Sequence, residues 1–192
     1  MNIKERHLAY YKKNLSPEDC KRVVGQNWGK AFYEHLSLFN PKSVCDVGCG
    51  NGQFLLDLVT NYNCKEAYGV DIATVELDMV IKNDNVKYFS AEAHNIPLKD
   101  KSVDLVTAFD SLEHVSEDKA EDTLKELARI SRKGFMFSIT HRLSGEAVGE
   151  YNLHSCVKPK DWWFDLIKFS TGAKLEKVVV DLKTHTETAW RL

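Results

Sequence analysis

At 192 residues, the chain suits one domain with a sizeable core, and its 43% apolar and 28% charged side chains are those of a folded protein rather than a disordered one. The net charge of -2 excludes a broad basic footprint, so nucleic acid is not the expected partner. The five cysteines, odd in number and without a CxxC pair, argue against a disulfide framework or a zinc site and fit a reducing compartment. No stretch has the length of a membrane span and the N-terminus lacks an apolar leader, so the expected location is the cytoplasm, with no membrane partner.

Residues 1–40 read as a helical lid or cap segment, with Tyr10, Tyr11, Trp28, Phe32 and Tyr33 as its aromatic side chains. Lys4, Arg6, Lys12, Lys13, Lys21, Arg22 and Lys30 there outnumber Glu5, Glu18 and Asp19; such a run is more often a solvated helix face than an anion site. Residues 41–192 form the expected core. Ser43–Val47 reads as a strand ending in a glycine loop, followed by a helix over Gln53–Asn61 with Phe54, Leu55, Leu58 and Val59 inward. Glu66–Asp71 is a second strand, Thr74–Lys82 a helix, Val86–Ser90 a third strand, and Ser102–Phe109 a fourth. Ser116 is the expected N-cap of the next helix, and Gly134 the break before a fifth strand over Phe135–Thr140. Pro159 opens a last helix that Gly172 closes, and Lys174–Leu182 and Thr186–Leu192 form an antiparallel pair. Strands alternating with helices specify a doubly wound α/β fold: a mostly parallel, seven-stranded sheet with helices on both faces and an antiparallel C-terminal pair.

The glycine loop narrows the ligand. A glycine-rich turn between strand and helix brings backbone close to a nucleotide-like ligand. Its spacing is Gly48-x-Gly50-x-Gly52, and the third glycine of a dinucleotide fingerprint is replaced by Gln53. Asp46, at the strand end, would repel a pyrophosphate and favour a cationic ligand. S-adenosylmethionine carries a sulfonium and an ammonium group and no phosphate, and Asp46 can reach that ammonium directly or through water. The plainer role for Asp46 is to cap the loop's own N–H groups. Asp71, ending the second strand, is placed to accept ribose hydroxyls, with a helix N-cap as its plainer role.

VCDVGCGNGQF, then GVDI, then VKYFSAEAHNIPLKDKSVDLVTAFDSLEHV stand in the order of the motifs of the class I methyltransferases, and the chain from Val44 to about Thr140 resembles their Methyltransf_11 group. The resemblance implies that Asp46, Gly48, Cys49, Gly50 and Gly52 hold the methionine end of S-adenosylmethionine and that Asp71 binds its ribose. It further implies that Ile72 packs on the adenine, that Glu92 accepts from the adenine amino group with Ala93 contributing backbone, and that Asp110 faces the methyl group. Ala91, His94 and Asn95 depart from the group's usual residues without touching this scheme. Glu113 and His114 in SLEHV match the pattern and are read as structural. In this group the N-terminal segment commonly forms a lid, so Tyr10 or Tyr11 is expected over the methionine end.

Methyl transfer from a sulfonium is an in-line displacement that needs positioning first, and a base only if the acceptor must lose a proton. Candidate bases are His141 directly after the fifth strand, then Asp110 and His154. The plainer role for His141 is to hydrogen-bond loop backbone. The connection Arg142–Lys158 and one of Trp162 and Trp163 are expected to wall a pocket for a small hydroxylated or sugar-like acceptor, methylated on oxygen or nitrogen. No spacing among His141, His154 and Asp110 supports a metal, so none is expected. The competing readings are a nicotinamide-dependent oxidoreductase and a non-catalytic member of the same fold. The oligomeric state is not legible.

Overall fold

A computed structural model describes residues 1–14, 30–76 and 78–192; the expectations on Cys20, Lys21, Arg22 and Trp28 lie outside these residues. In chain order the elements are α1 (Ile3–Asn14), α2 (Lys30–Tyr33), β1 (Ser43–Val47), α3 (Gln53–Asn61), β2 (Glu66–Val70), β3 (Val86–Phe89) and β4 (Val103–Phe109). Then follow α4 (Glu117–Ile130), β5 (Ser131–Thr140), β6 (Ala147–Val148), β7 (Tyr151–Asn152), α5 (Lys160–Thr171), β8 (Lys174–Leu182) and β9 (His185–Arg191).

Seven strands form one sheet in the order β3-β2-β1-β4-β5-β9-β8, and β6 and β7 form a separate small hairpin. The first five run parallel, whereas β9 lies antiparallel to both β5 and β8. All five residues of β1 are buried, as a strand covered on both faces requires. The strand order reverses between β1 and β4, and the crevice at such a switch point is where open α/β sheets bind ligands. Side chains alternate across the sheet: Phe135, Phe137 and Ile139 of β5 pack with Leu124, Leu127, Trp163 and Ile167 on one face. Met136 packs with Phe32, Leu55 and Leu58 on the other. Trp163 is fully buried there, so it lines no pocket.

Two elements differ from the sequence expectation. Thr74–Lys82 is not a helix among the described residues. Asp71 Oδ1 accepts the N–H groups of both Ala73 and Thr74, the bonds of a cap. Instead of a helix, Met79 donates to the Thr74 carbonyl, Asp78 adopts a left-handed φ of 54°, and Ile81 donates to Asn51 in the glycine loop. The apolar side chains Met79 and Val80 are buried by that turn rather than by a helical stripe. The fifth strand also begins at Ser131, with no loop after α4. Gly134 is therefore inside the strand, where a Cβ would stand 2.0 Å from the Trp190 carbonyl oxygen of β9. Ser116 does occupy the N-cap of α4, but its side chain makes no capping hydrogen bond. Pro159 and Gly172 cap α5 at its two ends, Gly172 with a φ of 70°. Among the described residues no helix is long and apolar enough to cross a membrane.

Candidate functional site

A cavity of about 500 Å³ opens at the C-terminal ends of β1, β2 and β4 and within the size range of cofactor pockets. Each wall comes from a strand end. β1 supplies Val47 and Gly48, β2 leads into Asp71 and Ile72, the chain after β3 supplies Glu92 and Ala93, and that after β4 supplies Asp110, Ser111 and His114. Helix α1 closes the cavity with Ile3, Arg6, His7 and Tyr11. It is tied down by a Lys4–Glu76 ion pair at 2.6 Å, by Arg6 donating to the Asn152 carbonyl, and by the same guanidinium lying over the Tyr151 ring. Gly48, Asp71, Ile72, Glu92, Ala93, Asp110 and Tyr11 are thus gathered in one cavity. Cys49, Gly50 and Gly52 shape the loop behind it, and His141 and His154 are not among its lining residues.

The glycine loop spends its own donors. Gly48 and Cys49 N–H groups donate to the Val70 carbonyl, and Gly52 to Cys49. Gly50 donates to Asp71 Oδ2 at 3.2 Å, and Gln53 to the Asn51 side chain. A phosphate nest needs those N–H groups aimed outward. Here a carboxylate already stands against the loop, so a pyrophosphate would meet negative charge and, at Gly48, Cys49, Gly50, Gly52 and Gln53, N–H groups that are already taken. Gly52 is held at a φ of 80° with the Tyr88 hydroxyl against it, which is why the loop can sit so close to β3.

Asp71 combines its two expected roles. Its oxygens take three backbone N–H groups, from Gly50, Ala73 and Thr74. A carboxylate offers about four acceptor positions, which leaves one, on Oδ2, for a ligand hydroxyl. Asp46 is buried beneath the loop, and its Oδ1 accepts the Thr107 hydroxyl at 2.6 Å. Burial is the main reason its carboxyl is pushed up to about 7, opposed by the Thr107 hydrogen bond. Because Asp46 does not line the cavity, only the water-mediated form of its expected contact fits this geometry. Glu92 is exposed at the rim, its carboxylate 3.4 Å from His94. The Cys49 thiol is buried and its pKa is pushed up by that burial, so it serves packing rather than chemistry.

The candidate bases redistribute. Both ring nitrogens of His141 are engaged, Nδ1 with the Lys158 carbonyl at 3.0 Å and Nε2 with the Thr186 hydroxyl at 2.8 Å. It ties the chain before α5 to β9 and is not among the residues lining the cavity, which favours its plainer role over that of a base. Asp110 has a left-handed φ of 46°, and its Oδ1 accepts the Ser138 and Thr140 hydroxyls, at 2.7 Å and 3.3 Å. The Nδ1 of His185 lies 3.5 Å from the same oxygen, and the Glu187 carboxylate beside its ring holds the His185 pKa above the usual value. His154 donates from Nδ1 to the Arg142 carbonyl at 2.7 Å and stands edge-on to His114, ring centroids 4.7 Å apart. Trp162 carries Lys158 over its ring at 5.5 Å and, like Trp163, is not part of the cavity lining.

Sequence reasoning missed the histidines that do line the cavity. His7 from α1 and His114 after β4 meet there, Nε2 to Nδ1 at 3.0 Å. Burial lowers the pKa of both, that of His114 to about 3, so both rings are neutral at physiological pH. Glu113 is structural, as expected: its backbone carbonyl takes the Ser155 and Cys156 N–H groups, and its Oε1 takes that of Thr140. Burial, reinforced by Asp110, pushes its carboxyl up to about 8. The pattern SLEHV carried a signal for His114; for His7, more than a hundred residues away on an unremarkable helix, there was none.

Residues 45–139 match the family described as "Methyltransferase domain". Among curated proteins, an O-methyltransferase of Aspergillus nomiae is 25% identical over 139 residues, covering 69% of this chain and 60% of that protein. The chain spans about half to three-fifths of the length of the first curated relatives it matches. Among solved structures, a putative methyltransferase from an antibiotic biosynthesis pathway of Anabaena variabilis superposes with a TM-score of 0.63 and 22% identity, over 80% of this chain and 64% of that one. A S-adenosylmethionine-dependent methyltransferase from Clostridium acetobutylicum superposes over 96% of both chains, with a TM-score of 0.67 and 14% identity.

Proposed function

We propose that the chain is a class I S-adenosylmethionine-dependent methyltransferase, as its match to the methyltransferase domain and its fold support, and that it moves the methyl group to an oxygen, or less favourably a nitrogen, of a small hydroxylated or sugar-like acceptor. One observation carries the choice of donor. The strand-end cavity is walled by carboxylates and by a glycine loop with its N–H groups turned inward, which suits a cationic ligand without phosphate. It speaks equally against a nicotinamide dinucleotide. The O-methyltransferase relatives support oxygen as the acceptor atom.

When bound, S-adenosylmethionine supplies a methyl group already activated on a sulfonium. The residues present fit it by position. Asp71 offers its one open acceptor site to a ribose hydroxyl. Ile72 and Ala93 present apolar surface to an adenine, and the exposed Glu92 carboxylate can accept from its amino group. The left-handed turn at Asp110 places backbone and Ser111 at the β4 end of the cavity, beside Gly48. Helix α1, with Tyr11 on its inner side, excludes water from the reacting end, where the acceptor must approach in line.

Calorimetric titration with S-adenosylhomocysteine and, separately, NADH tests this reading. The homocysteine compound should bind and NADH should not; the reverse pattern overturns it. Because Asp71 also holds the loop, Glu92→Ala is the cleaner variant. Its exposed carboxylate should contribute about 1 kcal/mol, or about five- to tenfold in Kd for S-adenosylhomocysteine. An unchanged Kd would remove Glu92 from the adenine site. For the acceptor, turnover of labelled donor with fractionated small molecules should give a product labelled on oxygen.

A further inference from the structure

Three histidines and a carboxylate converge where the chain leaving β4 meets α1 and the segment after β7. Oxygen and nitrogen ligand atoms of Glu113, His114 and His154 all lie within 4.8 Å of one another, and His7 Nε2 stands 3.0 Å from His114 Nδ1. We propose that Glu113, His114 and His154, joined by His7 from the cap helix, form a binding site for a divalent cation of the zinc type at the β4 end of the cavity.

Proton accounting is the first argument. A neutral imidazole has one N–H to give. His7 gives its own to the Ile3 carbonyl at 2.9 Å, and His154 gives its own to the Arg142 carbonyl at 2.7 Å, so the Nε2 of each is a lone pair. His114 Nδ1 faces the lone pair of His7 across 3.0 Å, with one proton between the two nitrogens. A cation in front of the facing nitrogens would take that proton's place. Backbone carbonyls fixing the far nitrogen of His7 and of His154 are also the usual outer partners of metal-bound histidines.

Distance and chemistry give the second argument. With metal–nitrogen bonds of about 2.0–2.1 Å, two nitrogens on a tetrahedral ion stand about 3.3–3.4 Å apart, so the 3.0 Å between His7 and His114 needs to open by only a few tenths of an ångström. Glu113 Oε2 is buried without a hydrogen-bond partner, a carboxylate oxygen that a cation would satisfy. Imidazoles with one carboxylate and no thiolate select a borderline first-row ion over magnesium or calcium. Three of the ligands come from the core and the fourth from α1, so the ion would also pin the cap over the cavity. Zinc sites expand from four to five ligands, and an acceptor oxygen arriving at the β4 end could take the fifth position and be acidified there. That last role rests on the methyltransferase reading, whereas the site itself does not.

The test uses the full chain, stripped with EDTA and titrated with Zn²⁺ and with Co²⁺, with bound metal counted after gel filtration. One ion per chain should bind, with a visible Co²⁺ spectrum of nitrogen–oxygen coordination. His154→Ala, on the half-exposed wall, should weaken Zn²⁺ binding by about 100-fold, and His7→Ala by about tenfold or more. Less than a tenth of an equivalent bound, or wild-type affinity in both variants, overturns the proposal. His114→Gln, a variant at a more buried ligand, is read alongside by circular dichroism, so that loss of fold is separated from loss of metal. S-adenosylhomocysteine titrated into the stripped wild type separates the two readings. Zinc binding without binding of that compound upholds the metal site and fells the methyltransferase reading alone.

Discussion

Gly52→Ala perturbs the loop at its tightest point. The residue sits at a φ of 80°, where a Cβ costs about 1–2 kcal/mol. An added Cβ would also stand 2.0 Å from the Tyr88 hydroxyl and 2.7 Å from its Cζ, contacts that force the ring to move. Moving it breaks the Tyr88 hydrogen bond to the Ile81 carbonyl, at 3.0 Å, worth about 1 kcal/mol. With overpacking of about 1–3 kcal/mol, the expected loss is about 3–6 kcal/mol. In urea, with a slope of about 2 kcal/mol per molar, the midpoint should fall by about 2 M. Tyr88→Phe removes the nearest atom, so the double variant should recover about 1 kcal/mol beyond additivity. Gly145→Ala is the control, since nothing lies within 4 Å of its Cβ position, and it should be neutral. A loss at Gly52 under 1 kcal/mol, or strict additivity with Tyr88→Phe, would refute the account of the loop.

Asp46→Asn should raise stability while weakening S-adenosylhomocysteine binding. The Asp46 carboxyl titrates near 7 in the fold against 3.8 unfolded, so the native state holds the extra proton and loses stability as pH rises from about 4 through 7. The gain from asparagine should therefore be small at pH 4 and grow toward pH 8, to at most about 4 kcal/mol, read from urea melts across that window; a gain that shrinks with pH contradicts the sign. His141→Ala should cost about 1–2 kcal/mol by losing bonds to Lys158 and Thr186, yet leave kcat within about twofold. A hundredfold fall in kcat with stability intact would restore it as a base.

The strand–helix alternation was readable because each buried strand is a short apolar run and each covering helix has one apolar stripe. β1, α3 and β8 match the expected bounds residue for residue. The failures share a cause, which is a local signal outvoted by a partner far along the chain. Val75, Met79 and Ile81 have helical spacing, but the Asp71 carboxylate and the Asn51 carbonyl draw that backbone into turns. Gly134 reads as a break in isolation. Against β9 it is instead the residue that lets the Trp190 carbonyl approach, a contact no local window contains.

The same distinction divides the site. The half proposed for the cofactor is built from residues that directly follow strands, so position in the alternation is nearly position in space, and Gly48, Asp71, Glu92 and Asp110 could be placed in the cavity by counting. The half proposed to receive the acceptor lies where a cap helix, the SLEHV turn and the segment after β7 cross. His7, His114 and His154 come together there across more than a hundred residues, while His141, better placed by sequence, is spent on β9. On the proposed reading, a fold that takes its donor at strand ends and its acceptor at crossing loops can change acceptors without disturbing the donor site.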